Sequence, residues 1–323
     1  MIWLSFLLLA TGIALLVGAS KVAISNLVAI SEKRRLRKSI LSLLLVASST
    51  SLPELAVAVN AIALGNMDVS LGDILGSNIA NVAFIIGVSL IVASIDKSKT
   101  TKAALTEEDK NEFRTGLMWV SITLLLLLYL QTAGNIIGLL LLVLFFIHSF
   151  NLFRGRKEDE ESNFEEPKDR RIVKEFTLTL AGILGVIAGA RLAVESAVEI
   201  ATFFRVPASI IGASLIAFGT SLPEFTVDIR AAYAGFMEIV MGDIVGSCFL
   251  NSTLILGILL LFTPSRANFV VLSDLILFSV TSNIVLWYLM ETGNMGRRGG
   301  LILLMIYIIN LLSLLGILVI RPL

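Results

Sequence analysis

Residues 47–87 and 217–257 carry the same segment twice, at a constant offset of 170 residues and without a gap. The first copy reads ASSTSLPELAVAVNAIALGNMDVSLGDILGSNIANVAFIIG and the second AFGTSLPEFTVDIRAAYAGFMEIVMGDIVGSCFLNSTLILG, identical at 18 of 41 positions. The matches include Thr-Ser-Leu-Pro-Glu, Gly-Asp-Ile, Gly-Ser and a final Asn. Chance matching among Leu, Val and Ala does not bring such polar residues into register. A weaker echo at the same offset pairs VGASKVAIS (17–25) with IAGARLAVE (187–195). Any fold for this chain has to use one unit twice.

The solvent for that unit follows from composition. Only 15% of the 323 residues are charged and 56% are hydrophobic, with a mean hydropathy of +0.92; soluble domains average about 25% charged. A soluble enzyme of this length would lack the polar surface to cover itself, and a disordered chain is excluded for the same reason. Lys and Arg number 25, as do Asp and Glu, so there is no basic excess for nucleic acid. One cysteine, Cys248, and one histidine, His148, argue against a disulfide scaffold, a multi-cysteine metal centre and a His-based catalytic cluster.

A spanning helix needs about 20 mostly apolar residues. About ten such stretches occur, near 2–28, 39–64, 70–94, 115–131, 135–152, 176–198, 208–234, 241–262, 270–290 and 300–320. They are continuously apolar rather than alternating, which predicts helices and not a β-barrel. The first stretch has no basic n-region and no clean cleavage site, and reads as a retained helix rather than a signal peptide. The expected fold is an all-α polytopic membrane protein of about ten transmembrane helices in two five-helix repeats. Five is odd, so the second repeat crosses the membrane in the opposite sense to the first. Inverted repeats of this kind are an architecture of secondary transporters, with the site at the midplane where the copies meet.

With the N-terminus outside, 19 of the 25 Lys and Arg fall in cytoplasmic loops and 3 outside. The positive-inside rule then places both termini extracytoplasmic, in a multi-pass protein of the cell membrane. Residues 1–152 form the first repeat, 153–175 a charged cytoplasmic linker, and 176–323 the second repeat. The linker contains EDEESNFEE, which reads either as a regulatory calcium site or, in keeping with its composition, as a solvated connection.

The repeated segment has the chemistry of a cation site. Glu54 lies one helical turn from Thr50, so the two share a face with Ser51 nearby. Pro53 has no N–H and its ring clashes with the carbonyl of residue i−4, freeing backbone oxygens near Ser49. A buried carboxylate, two hydroxyls and free carbonyls are hard oxygen donors. Ca²⁺ takes about 6–8 oxygens, more than one segment supplies. The second copy offers Thr220, Ser221 and Glu224, and the third and eighth spans add Ser77 with Asn81 and Ser247 with Asn251, each pair at i, i+4. Two Glu balance one divalent cation or hold monovalent ions in its place, and mutually exclusive occupancy is what exchange requires. A lone Pro in a membrane helix is more often a tolerated kink, and Gly/Ser pairs are more often packing contacts. Duplication in inverted register favours the site.

These motifs, TSLPE with GDILGSNIAN and GTSLPE with GDIVGSCFLN, resemble the α-repeats of the cation/calcium exchanger superfamily, and most closely the prokaryotic sodium/calcium exchangers. The resemblance runs over essentially the whole chain. It implies that Thr50, Ser51, Glu54, Ser77 and Asn81 line the ion sites in one repeat and Thr220, Ser221, Glu224 and Ser247 in the other, joined by the carbonyls of Ala47 and Ala217. It also implies sliding of the first and sixth helices across a rigid eight-helix core, a motion for which Gly12, Gly18, Gly185 and Gly189 would suit the surface. Exchangers of this kind commonly place an Asp in one repeat where this chain has Asn81 and Asn251. The site therefore carries a formal charge of −2 rather than −3, which leaves the counter-ion open. Ser49 and Cys248 also depart from the usual Gly and Asn.

Three further acids have two readings each. Asp228, where the first repeat has Ala58, is either an extra carboxylate on the cytoplasmic ion path or the partner of Arg191 or Arg230. Asp73 and Asp243, at the starts of the third and eighth helices, either draw cations to the vestibules or cap those helices. Glu195, Glu199 and Asp274 receive no role.

The expected function is secondary-active antiport of Ca²⁺ against Na⁺ by alternating access, without enzymatic activity or a cofactor. Its partners are inorganic cations and the bilayer; a monomer suffices and nucleic acid is not a partner. A Ca²⁺/H⁺, other cation/H⁺ or K⁺-linked antiporter is the rival on the same fold. An intramembrane hydrolase with Ser221 as nucleophile and Glu224 as its helper is opposed by the duplication and by the lack of a Ser/His or Ser/Lys dyad. A cation channel of this size usually needs a symmetric oligomer, whereas this chain carries its own two-fold.

Overall fold

Within the described residues the apolar stretches form helices. In a computed structural model of the chain, residues 2–34, 51–95, 105, 107–129, 134–155, 173–262 and 269–316 are described. Among them the helices are α1 (Ile2–Arg34), α2 (Leu52–Leu64), α3 (Met67–Ala93), α4 (Glu107–Tyr129) and α5 (Gly134–Gly155), then α6 (Val173–Phe204), α7 in two parts (Ala208–Thr220 and Leu222–Ala234), α8 (Met237–Leu261), α9 (Phe269–Glu291) and α10 (Arg297–Leu314). No strand occurs among the described residues.

Six described helices are long and apolar enough to cross a membrane, and the bent α7 pair makes a seventh. The remaining three match predicted spans in part. α2 covers the second half of the 39–64 span, whose first half lies outside the described residues. α5 has an apolar stretch, Gly134–Phe150, just under the length of a full span. α4 opens with a charged turn before its apolar run. α1 runs past its expected end near residue 28 to Arg34.

The repeat is visible in local geometry. α2 ends at Gly65 with φ 67°, and Asn66 N–H returns to the Ala61 carbonyl at 2.9 Å. The α7 end repeats this 170 residues later: Gly235 has φ 90° and Phe236 N–H reaches the Ala231 carbonyl at 3.0 Å. Only glycine takes this left-handed closing position without strain. Each turn hands the chain to a buried helix, α3 or α8, running back alongside.

α1 and α6 pack against each other along their length, and their contacts obey the same offset. A methyl built on Gly12 would lie 2.9 Å from the Ala193 amide, and one on Gly182 would lie 2.7 Å from the Ala23 amide. Gly12 with Gly182, and Ala23 with Ala193, are equivalent positions in the two copies. Gly189 abuts Leu16 and Gly185 abuts Ala19, whereas Gly18 faces open space. Gly18 is therefore not part of the contact surface expected of it.

The buried apolar residues fall into two clusters. One joins α1 and α6 to α2 and the outer part of α7 through Leu9, Leu16, Val57, Val194, Ile200 and Ile216. The other joins α3, α4, α5, α8, α9 and α10 through residues such as Ile86, Leu124, Leu141, Ile244, Leu275 and Leu303. α3 and α7 meet through glycines: a methyl on Gly72 would overlap the Ser209 carbonyl, on Gly212 the Val69 carbonyl, and on Gly76 the Ala213 carbonyl. Backbone therefore lies against backbone where the two repeats interlock.

Candidate cation site

The described parts of the two Thr-Ser-Leu-Pro-Glu segments open the following helix in the same way. α7 bends by 48° between its parts at Ser221, which has φ −81° and ψ 4°. Pro223 sits in the first turn of the second part, where its missing N–H costs nothing but its ring forbids a straight continuation. Ser51 precedes α2 with φ −96° and ψ 15°, and Pro53 occupies the equivalent place. Leu55 N–H bonds the Ser51 carbonyl at 3.0 Å and Phe225 N–H bonds the Ser221 carbonyl at 3.0 Å. Glu54 and Glu224 thereby stand at matching positions in the first turns of α2 and of the second part of α7.

Both carboxylates are wholly buried, and each lies within electrostatic range of the other. None of their four oxygens has a hydrogen-bond partner among the described residues. Ser51 Oγ, Ser221 Oγ, both polar atoms of Asn81 and Asn251 Oδ1 are likewise buried and without a hydrogen-bond partner among the described residues. Burying a charge without compensation is far more costly than burying a paired one. Among the described residues the ion pairs lie elsewhere, between Lys110 and Glu107, Arg114 and Glu291, and Arg191 and Glu195. Among the described residues no basic side chain is paired to Glu54 or Glu224.

Contacts between the repeats hold this region together. Thr220, the last residue before the α7 bend, donates to Asp73 Oδ1 on α3 at 3.0 Å and has Ser77 Oγ at 3.3 Å. Deeper along α3, Asn78 Nδ2 donates to Ser252 Oγ at 2.8 Å, and Asn251 Nδ2 donates to Asn78 Oδ1 at 3.3 Å. The Cys248 thiol approaches the Asn78 carbonyl at 3.9 Å. Asn78 and Cys248 are equivalent positions, so the pseudo-two-fold axis passes between α3 and α8 here. Each of these helices carries a π-type turn at this level, Ala80–Ile85 in α3 and Asn251–Ile255 in α8. A π turn places one extra residue in the helix and often marks a functional position.

Ser51, Glu54, Ser77, Asn81, Thr220, Ser221, Glu224, Ser247 and Asn251 are all buried. Ala47 and Thr50 lie outside the described residues. The Ala217 carbonyl accepts from Ser221 N–H at 3.1 Å; Thr220 Oγ1, 3.2 Å away, has one proton and gives it to this carbonyl or to Asp73, and with Asp73 as its acceptor the carbonyl keeps a lone pair. The capping reading of Asp73 and Asp243 does not hold. α3 begins at Met67 and α8 at Met237, with Asn66 and Phe236 in the cap positions, so both acids sit nearly two turns inside their helices. The pairing of Asp228 with Arg191 is not formed: Arg191 bonds Glu195 at 2.9 Å, while Asp228 is wholly buried and both its oxygens are unpartnered. Glu199 accepts from Ser5 Oγ at 2.8 Å, tying α6 to α1.

No group of three His, Cys, Asp or Glu side chains able to hold a metal occurs among the described residues. Asn78 and Ser252 were not legible as parts of the site. Their equivalents are Cys248 and Val82, and a search for residues common to both copies passes over them.

Comparison with known proteins agrees with this architecture. A family model described as sodium/calcium exchanger protein matches residues 4–153 and 174–316. The sodium/calcium exchanger MaX1 of Methanosarcina acetivorans is 28% identical over 358 residues, covering 97% of this chain and 99% of that protein. The uncharacterized membrane protein MJ0091 of Methanocaldococcus jannaschii is 30% identical over 275 residues, covering 83% of this chain and 84% of its own length. A structure of the sodium-calcium exchanger NCX_Mj, soaked with Na⁺ and Sr²⁺, superposes with a TM-score of 0.63 at 26% identity, covering 97% of this chain and 99% of that one.

Proposed function

Because the chain belongs to the sodium/calcium exchanger family, whose members exchange cations across membranes, we propose that its own exchange is of Ca²⁺ against Na⁺. The observation that carries this reading is the pair of wholly buried, unpartnered carboxylates, Glu54 and Glu224, at equivalent positions of the two copies. One Ca²⁺ neutralises both. With Ca²⁺ gone, Na⁺ ions take the same oxygens, and the two occupancies exclude each other.

In this reading Thr50, Ser51, Glu54, Ser77, Asn81 and the Ala47 carbonyl serve from the first repeat. Thr220, Ser221, Glu224, Ser247, Asn251 and the Ala217 carbonyl serve from the second. The repeats occupy residues 1–152 and 176–323, joined by a cytoplasmic linker at 153–175, with both termini outside. Inverting the roles of the two repeats converts a site open to one face into a site open to the other. The α1–α6 pair packs in an apolar cluster that α4, α5, α8, α9 and α10 do not share, which supports its moving as a body against those helices.

The neutral Asn81 and Asn251 leave the site at −2, so the coupling ion has to be measured. The experiment is ⁴⁵Ca²⁺ uptake into proteoliposomes under a Na⁺, H⁺ or K⁺ gradient imposed singly. Uptake driven by the Na⁺ gradient with the H⁺ gradient collapsed is the expected result. Uptake driven by H⁺ alone replaces Na⁺ as the coupling ion, and a requirement for K⁺ adds a third ion. Flux that needs no counter-ion contradicts exchange.

A further inference from the structure

One turn from the central site lies a pair of carboxylates that only one copy possesses. α7 and α8 are joined at the Gly235–Phe236 turn and run antiparallel, so residues equidistant from the turn stand level with each other. By that register Glu224 is level with Ser247. Asp228, one turn further along α7, is level with Asp243, one turn before Ser247 on α8. Asp228 and Asp243 lie within electrostatic range of each other and of Glu224. The same rung in the first copy holds Ala58 and Asp73, and there the lone acid is engaged by Thr220.

Asp228 is wholly buried and neither of its oxygens has a partner among the described residues. Arg191 is occupied by Glu195, and Arg230 is exposed, two residues along the helix and off the Asp228 face. A buried carboxylate left in this way calls for a cation. Asp243 is half-buried, with its Oδ2 atom buried and unpartnered among the described residues, so the rung has one member that is partly exposed. The rung lies between Glu224 and the turn that joins α7 to α8.

We propose that Asp228 and Asp243 form a second cation site, at which Ca²⁺ carrying most of its hydration shell is held before reaching Glu224. Two carboxylates supply its charge balance, and water supplies the oxygens that two side chains cannot. The site exists on one face only, because Ala58 stands in the place of Asp228 on the other. The exchanger is therefore asymmetric: the face at the α7–α8 turn concentrates Ca²⁺ and the opposite face does not. The orientation proposed above makes this the cytoplasmic face. The inference rests on Ca²⁺ being the exchanged ion.

The test measures half-saturating Ca²⁺ separately at each face, in proteoliposomes of uniform orientation. Asp228→Ala copies the other repeat, and Asp228→Asn keeps the shape should the first variant fail to insert. Losing one charge beside a partly hydrated divalent ion raises half-saturation at the α7–α8 face about tenfold. Half-saturation at the opposite face does not move. Asp243→Asn shifts the same face, and the double variant adds less than the sum of the two. Half-saturation unchanged at both faces in Asp228→Asn, or shifted equally at both, overturns the site. If the wild-type protein moves no Ca²⁺ in any cation gradient, the exchange reading itself falls, so the two failures are distinguishable.

Discussion

At the scale of single residues, the arrangement around Asn251 carries a specific consequence. Its Nδ2 donates to Asn78 Oδ1, and Asn78 is held in turn by Ser252. Asn251 Oδ1 is thereby left buried and unpartnered, presented as a neutral oxygen ligand. An amide must be oriented to do this, whereas a carboxylate offers oxygens either way round. Asn78→Ala is therefore expected to raise half-saturating Ca²⁺ about fivefold to tenfold, the loss of one hydrogen bond to a buried group. In the Asn251→Asp background the same Asn78→Ala change has little effect. Flux measurements on the four proteins check this, and an equal effect in both backgrounds would assign Asn78 a packing role instead. The motif residues stood out in the sequence because an acid within an apolar run has few structural explanations. Asn78 did not, because a buried Asn has many and because its equivalent is Cys248. The fate of Asp73 was illegible for a related reason: without knowing that α3 starts at Met67, position 73 looks like a helix terminus.

At the scale of elements, positions of close backbone approach dominate. Gly76→Ala would drive a methyl into the Ala213 backbone, which neither helix can yield, and a destabilisation of about 1–3 kcal/mol is expected. Gly18→Ala, facing open space, is expected to be silent. Thermal unfolding of the purified protein distinguishes the two. α1 and α6 share an apolar cluster separate from most of the other helices, which supports their moving together. A methyl on Gly185 would lie 2.7 Å from Ala19 Cβ. The two positions therefore accept a disulfide, whose Cβ atoms sit about 3.5–4.5 Å apart, after a small separation of the helices. The Ala19→Cys, Gly185→Cys protein is expected to keep exchanging when oxidised. Loss of flux restored by reductant would show that α1 and α6 move against each other. Most element identities were readable from apolar run length, but the π turns and the α7 bend were only partly so. Pro223 announces the bend; nothing in the apolar pattern announces an inserted residue at Asn251.

At the scale of the whole molecule, the repeat determines topology and the topology determines energetics. The constant offset of 170 residues between Glu54 and Glu224 is also the offset between the Gly65 and Gly235 turns and between the Gly12 and Gly182 contacts. One relation therefore runs from the outer helices to the site, and it was legible because polar residues and glycines resist chance recurrence. The charge distribution predicts that Ser162→Cys, in the linker, is labelled by an impermeant thiol reagent only after intact cells are opened. Labelling before opening would reverse the orientation. If more than two Na⁺ enter for each Ca²⁺ that leaves, exchange carries net charge and draws about 2.3 kcal/mol per charge from a 100 mV potential. The central claim is that Glu54 and Glu224 together hold the exchanged cation. The most direct measurement is Na⁺-driven ⁴⁵Ca²⁺ flux in proteoliposomes containing Glu54→Gln or Glu224→Gln. Each isosteric change removes half of the site's charge, and each is expected to abolish flux while the protein remains folded and reconstituted. Flux at the wild-type rate in either variant would contradict the account.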